Sequence, residues 1–209
     1  VRQIILDMGS GNSCKNDITT IRKMINSLKN IDECKITDEI IIKWQLFEKA
    51  GDNIPLKPIL FSYAHEYAQF YGFKTTASVF DRDSLNYLLE HDIPFVKIAN
   101  NKQSYEMARL VPHNIKKYVS WGAGAGHIKM IPGDELLYCV SEYPAKMYQY
   151  EALNFLPGEN ISDHTANFDL YKKYQPKIVE WHYKLPESTG PDAGDFARTW
   201  KDLKLLEEE

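Results

Sequence analysis

Eight short apolar runs, separated by segments of helical periodicity, constrain the fold of this chain more than any other feature. They fall near residues 3–8, 39–46, 72–78, 95–100, 117–122, 135–141, 160–164 and 178–184. Several are continuous rather than alternating, as in Ile40-Ile41-Ile42 and Phe95-Val96-Lys97-Ile98. Continuous runs suit strands covered on both faces, the condition of a parallel sheet. Asp17 can cap a helix whose stripe includes Ile21, Met24 and Leu28, and Asp83 another containing Leu85, Leu88 and Leu89. Phe196, Trp200 and Leu203 share helical spacing near the end. Alternating strands and helices argue for βα units. Eight units argue for an α/β fold, a compact single-domain (β/α)₈ TIM barrel over residues 1–209.

The length lies near the ~200-residue lower limit of that barrel, so most loops must be short. The expected exception is 47–60, which contains Gly51, Pro55 and Pro58, and long loops are often functional. A hydrophobic fraction of 44% supports a sizeable core. A net charge of -4 with no basic stripe argues against a nucleic-acid partner. No apolar run is long enough to span a membrane, and Val1-Arg2-Gln3 does not read as a signal peptide. Cys14, Cys34 and Cys139 are odd in number and scattered, which favours reduced thiols and a cytoplasmic setting. Gly122, Gly124 and Gly126 read as a tight turn or small anion nest. Glu207-Glu208-Glu209 reads as a solvated end.

In such a barrel the chemistry gathers at the C-terminal ends of the strands. The residues there are Asp7, Lys43 and Gln45, Ser78, Lys97 and Asn100, Ser120, Ser141 and Tyr143, Ser162 to His164, and Glu180 with His182. A strand places residues i and i+2 on one face. Ser162 therefore sides with His164, and Glu180 with His182. Two neighbouring strands can then present two imidazoles to one point, with Asp163 beside one of them. That is a metal pair with open positions for water and substrate. His65, His91, His113 and His127 fall in expected helices or turns, with surface or capping roles. Lys43 and Lys97 stand in otherwise apolar strands, where an unpaired charge is costly. An internal ion pair, Lys97 with Asp7 for instance, would satisfy one of them. Otherwise they form an anion site, or one serves as a Schiff-base lysine.

These residues resemble the catalytic barrel of the sialic acid synthase (N-acetylneuraminate synthase) family. The matching stretches run in the family's order: Lys43-Trp44-Gln45, Tyr71-Gly72-Phe73, Ala77-Ser78-Val79-Phe80-Asp81, Val96-Lys97-Ile98-Ala99, Tyr143-Pro144, Ser162-Asp163-His164-Thr165, Glu180-Trp181-His182-Tyr183 and Gly190-Pro191-Asp192. The resemblance implies a transferase that condenses phosphoenolpyruvate with N-acetylmannosamine or a related aldose and releases phosphate, with Mn²⁺ or Mg²⁺ holding the aldehyde. Carried over, His164 and His182 would bind the metal. Lys43, Lys97, Ser78 and Ser162 would hold phosphoenolpyruvate. Gln45, Tyr143 and Asp192 would orient the sugar or a water.

Some positions depart from the family's pattern. Asp7 stands for a glutamate, Asn100 and Lys102 for a serine and a glutamate, and Ser141 for an asparagine. We retain Asp7 with Gln45, His164 and His182 as catalytic candidates, and Asn100 and Ser141 as substrate-binding ones. Lys102 in place of an acid suggests a different sugar. The family's C-terminal antifreeze-like domain has no counterpart before Glu209. A homodimer or a separate cap-domain chain is therefore an expected partner. The alternatives are a metal-dependent aldolase or lyase on the same barrel, and a degenerate barrel that binds sugar without turnover.

Overall fold

Eight parallel strands pair in sequence order, and the first closes on the last. They are β1 (Gln3–Asp7), β2 (Glu39–Leu46), β3 (Lys74–Val79), β4 (Val96–Ile98), β5 (Lys117–Trp121), β6 (Glu135–Cys139), β7 (Asn160–Ser162) and β8 (Ile178–His182). The helices are α1 (Gly11–Cys14), α2 (Ile18–Asp32), α3 (Pro58–Phe70), α4 (Arg82–Leu88), α5 (Lys102–Ala108), α6 (Met147–Glu151), α7 (Asp169–Tyr174) and α8 (Trp200–Leu205). The computed structural model describes residues 2–32, 39–48, 51–122 and 127–206. Cys34, Gly124, Gly126 and Glu207-Glu208-Glu209 lie outside the described residues. Among the described residues, no helix is long and apolar enough to cross a membrane.

The continuous apolar runs become two-sided strands. Ile4, Leu6, Ile40, Ile42 and Trp44 face outward onto α2 residues such as Met24 and Leu28, all fully or nearly buried. Ile5, Ile41, Phe95, Tyr118, Leu137 and Ile178 fill the barrel axis. Phe95 and Tyr118 stack there with ring centroids 3.7 Å apart. This apolar plug closes the barrel below the level of Asp7 and separates the polar residues of the C-terminal mouth from those at the opposite end, such as Gln3, Glu39 and Glu135.

Several expectations need correction. Among the described residues, no helix joins β5 to β6. Instead Asp134 folds the segment into a turn at Pro132-Gly133, accepting from the Ile131 and Lys117 amides at 2.8 and 2.7 Å. Asp81, not Asp83, caps α4, accepting from the Ser84 amide at 2.8 Å. Asp81 has the extended backbone that a cap requires, whereas Asp83 already lies in the first turn. The last helix starts at Trp200 because Thr199 and Asp202 form a capping box, which leaves Phe196 outside it.

Asp17 does cap α2 as expected, accepting from the Thr20 amide at 2.8 Å. The loop after β2 ends at Lys57, since Pro58 opens α3. It is tied to the α1 region: the Ile54 amide donates to Asn12 at 3.2 Å and the Lys57 amide to Asn16 at 2.9 Å. His65 is buried on the inner face of α3 and bonded to Thr75, contrary to a surface role. His91 caps as expected, its Nδ1 lying 3.0 Å from the Tyr87 carbonyl.

Trp181 is fully buried, and its indole N–H donates to Asp163 at 3.0 Å. Trp181→Phe should cost about 1–3 kcal/mol for the donor lost to a buried carboxylate, as read by urea denaturation.

Candidate active site

Strand register builds the site. Asp7 lies between Lys43 on β2 and His182 on β8. Ser78 lies between Gln45 and Lys97, and Ser162 between Cys139 and Glu180. One cavity of about 280 Å³ is lined by Asp7, Lys43, Gln45, Ser78, Lys97, Asn100, Ser141, Tyr143, Ser162, His164, His182 and Asp192. Every residue carried forward as a catalytic or substrate-binding candidate therefore reaches a single chamber. Lys102 does not line it.

Two buried ion pairs form the floor. The Lys43 ammonium donates to Asp7 at 2.6 Å and to Ser78 at 3.0 Å. Lys97 donates to Ser120 at 2.6 Å and lies 3.4 Å from Glu180 Oε2. The expected pairing of Lys97 with Asp7 is thus wrong, because register sets Asp7 directly beside Lys43. Glu180 Oε1 accepts from Ser162 at 3.0 Å, whereas Oε2 is buried with no hydrogen-bond donor.

Burial and neighbours act differently on each charge. Burial alone would raise Asp7, but Lys43 and His182 outweigh it and hold the carboxyl below its usual value. Glu180 is likewise lowered, since Lys43 and Lys97 overcome its burial. Burial would lower Lys43, yet Asp7 and Glu180 raise it. Burial dominates at Lys97, whose ammonium is weakened despite Glu180. Burial pushes the Cys139 thiol up to about 11, so it stays neutral.

The imidazoles stand above this floor. Their ring centroids are 5.3 Å apart. His164 Nδ1 lies 2.6 Å from the Val140 carbonyl. A carbonyl only accepts, so Nδ1 carries the hydrogen and Nε2 keeps its lone pair. Burial and His182 lower the His164 pKa to about 3, which keeps the ring neutral. His182 Nδ1 is buried without a hydrogen bond, 3.4 Å from Asp192 Oδ1. Burial would lower His182, but Asp7 and Asp192 raise it. The lone pair of His164 and, once it has lost its proton, the ring of His182 with its unbonded nitrogen fit a divalent cation as a two-imidazole donor set. Among the described residues, no group of three or more His, Cys, Asp or Glu side chains is arranged to hold a metal. Asp163 takes no part in the cavity. It points outward, accepting from Trp181 and from the Thr165 amide and hydroxyl, because it alternates with the inward Ser162 and His164.

Asp192 arrives on a single 3₁₀ turn, Pro191–Ala193. It accepts from the Ser13 hydroxyl at 3.0 Å, and Lys184 fixes the turn by donating to the Ala193 and Gly194 carbonyls. Gly9 has φ +75°, and a Cβ there would lie 2.1 Å from Ser13 Oγ and 2.7 Å from Asp192 Oδ2. Only glycine allows that approach. Tyr143 and Phe196 wall the imidazoles, Tyr143 at 4.4 Å from His164 and Phe196 at 5.0 Å from His182.

Phe196 and Arg198 are not among the residues that strand periodicity singles out. Phe196 matches a helical stripe instead, and a lone arginine carries no periodic signal. Arg198 ties the two histidine-bearing loops together. Its amide donates to the His182 carbonyl at 2.7 Å. Its Nη2 donates to the Thr165 and Asn167 carbonyls at 2.8 and 2.6 Å.

No protein-family model and no curated protein matches the chain by sequence. Solved structures do match. One is an N-acetylneuraminic acid (sialic acid) synthetase from Leptospira borgpetersenii serovar Hardjo-bovis, in complex with citrate. It has TM-score 0.73 and 20% identity, over 98% of this chain and 81% of that one. The chain shares its fold with a sialic acid synthetase. A second structure, described as spore coat polysaccharide biosynthesis protein E from Chromobacterium violaceum, has TM-score 0.73 and 16% identity over 99% and 74%. A third, the phospho-2-dehydro-3-deoxyheptonate aldolase (DAHP synthase) of Thermotoga maritima, has TM-score 0.61 and 12% identity over 99% and 68%. The (β/α)₈ barrel is therefore common ground for all four chains.

Lys43→Met should destabilise the protein by about 3–5 kcal/mol at pH 7, because Asp7 is left buried without its ammonium partner, with Gln45, the Gly9 amide and the more distant His182 as its remaining contacts. The Asp7 pKa then rises above its unfolded value. The folded state binds the extra proton on acidification, so the deficit should shrink from pH 7 to pH 5. Denaturation at the two pH values checks the sign. Arg198→Met should cost about 1–3 kcal/mol for the buried Thr165 carbonyl left without its donor, since the Asn167 carbonyl keeps the Thr165 hydroxyl, and should speed hydrogen exchange across residues 163–168.

Proposed function

We propose that this barrel condenses phosphoenolpyruvate with the aldehyde of N-acetylmannosamine or a related aldose, releasing phosphate, as a step of carbohydrate biosynthesis. One observation carries the reading: two buried ammonium groups and two imidazoles converge on a single small cavity. A trianion needs fixed cations, and joining two substrates needs both positioned. The names of the neighbouring structures, a sialic acid synthetase and a polysaccharide biosynthesis protein, agree with carbohydrate as the substrate class.

In this reading water adds to the enolpyruvyl C2 and the C3 carbon bonds to the aldehyde carbon. The aldehyde oxygen takes one proton of the water. The bond from C2 to the phosphorus-bearing oxygen breaks as the new C2 hydroxyl gives its proton to the departing phosphate and C2 becomes a ketone. Lys97 is the freer cation for the anion, since Glu180 faces it without a hydrogen bond. Lys43 is held by Asp7 and adds charge from a fixed position. Ser78 and Ser162 supply hydroxyls from the same wall. The open Oε2 of Glu180 accepts from the attacking water. Gln45, Tyr143 and Asp192 orient the sugar, with Asn100 and Ser141 at the rim. His164 and His182 would hold a divalent cation, Mn²⁺ or Mg²⁺, which supplies Lewis-acid polarisation of the aldehyde oxygen. A carbon–carbon lyase working through Lys97 is the competing chemistry, favoured by the burial that weakens its ammonium.

The test is phosphate release with phosphoenolpyruvate, manganese and a panel of aldoses headed by N-acetylmannosamine. Release should require both sugar and metal. His164→Ala and His182→Ala should abolish it while the circular dichroism spectrum is kept. Lys97→Ala should weaken phosphoenolpyruvate binding by about 1.5–3 kcal/mol, a charge-assisted contact. Borohydride trapping of pyruvate on Lys97 without phosphate release would establish the lyase instead.

A further inference from the structure

The catalytic chamber is small for two substrates. Its volume of about 280 Å³ is below the roughly 300–1,000 Å³ of ordinary ligand pockets. It suits a three-carbon phosphate and a reacting aldehyde group, and the rest of an aldose must leave it. A groove of about 960 Å³ adjoins it between α5 and α6. Asn100, Asn101, Cys139 and Ser141 line both spaces. The pocket on the other side, beside Gln45 and Phe80, is about 300 Å³ and shares only those two residues with the chamber.

The boundary between chamber and groove is a built structure. The Asn100 amide donates to Ser141 at 3.0 Å, and its carbonyl accepts from the Tyr105 hydroxyl. Those bonds fix which way the amide faces. On the groove side Lys102, Tyr105 and Glu106 fall on one face of α5, at i, i+3 and i+4, and the C-cap residue Arg109 continues that face at i+7. Glu106 stands one turn from each of the two cations and Glu142 lines the same groove, so the lining carries two charges of each sign and does not favour a second phosphate. Across the groove, α6 presents Tyr148, whose ring is 68% exposed, and Gln149, held by the Lys146 amide at 2.7 Å. A flat aromatic face beside fixed amides suits the alternating C–H and hydroxyl surfaces of a sugar.

We propose that this groove is a subsite for the tail of the acceptor, and that the tail is an uncharged polyhydroxylated extension such as a second sugar unit. The inference rests on the condensation reading above, because that reading holds the aldehyde at the imidazoles and leaves Asn100 and Ser141 at the rim, where the acceptor chain passes from chamber to groove. The preferred acceptor is then larger than a monosaccharide.

Calorimetry on the full chain tests this with N-acetylmannosamine, its 4-O- and 6-O-galactosyl derivatives, and phosphoenolpyruvate titrated separately. At least one derivative should bind ten or more times tighter than N-acetylmannosamine. Tyr148→Ala and Arg109→Ala should each cut that ratio below two. Phosphoenolpyruvate binding with no gain for either derivative overturns the subsite and leaves the condensation reading standing. A gain that survives both substitutions also overturns it. A galactosyl gain without phosphoenolpyruvate binding overturns the condensation reading and leaves the groove as a sugar site.

Discussion

The buried quartet of Asp7, Lys43, Glu180 and Lys97 is the constraint on which the mouth of this barrel depends. Four ionised groups below the protein surface are tolerable only if each meets its opposite charge. The parallel register supplies that condition for Asp7 and Lys43, which are Cα partners on adjacent strands. Lys97 and Glu180 meet across the barrel at 3.4 Å, with less hydrogen bonding between them. One pair is therefore tightly engaged and the other slack. Glu180 is more easily displaced from Lys97 than Asp7 from Lys43.

The same floor governs the imidazoles above it. His164 is pressed toward the neutral form by burial and by its neighbour, while His182 is drawn toward the charged form by Asp7 and Asp192. Two chemically identical side chains thus differ because burial prevails at one, whereas two carboxylates outweigh it at the other. Arg198 and Lys184, remote from the cavity, set the loops that impose this difference.

Much of the fold was legible because its signals are local. Runs such as Ile40-Ile41-Ile42 declare two-sided strands, and strand ends locate polar residues at the mouth. Strand alternation alone also sets Ser162 with His164, and Glu180 with His182. It fails where a residue sits outside a periodic element. Phe196 matches a helical stripe but lies before the Thr199 cap. Asp163 is adjacent to His164 in sequence yet faces the outer layer, since neighbours on a strand point to opposite sides.

By itself the amino-acid sequence determined the alternation of strands and helices, the level at which polar residues cluster, and the chemical types available there. Hydrophobic periodicity and turn chemistry act over a few residues, so one dimension suffices for them. Which lysine pairs with which carboxylate, which imidazole nitrogen keeps a lone pair, and where Asp192 and Phe196 close the cavity were decided only by tertiary structure. Those outcomes depend on contacts between residues up to 179 positions apart, as between Ser13 and Asp192, and barrel closure sets such distances.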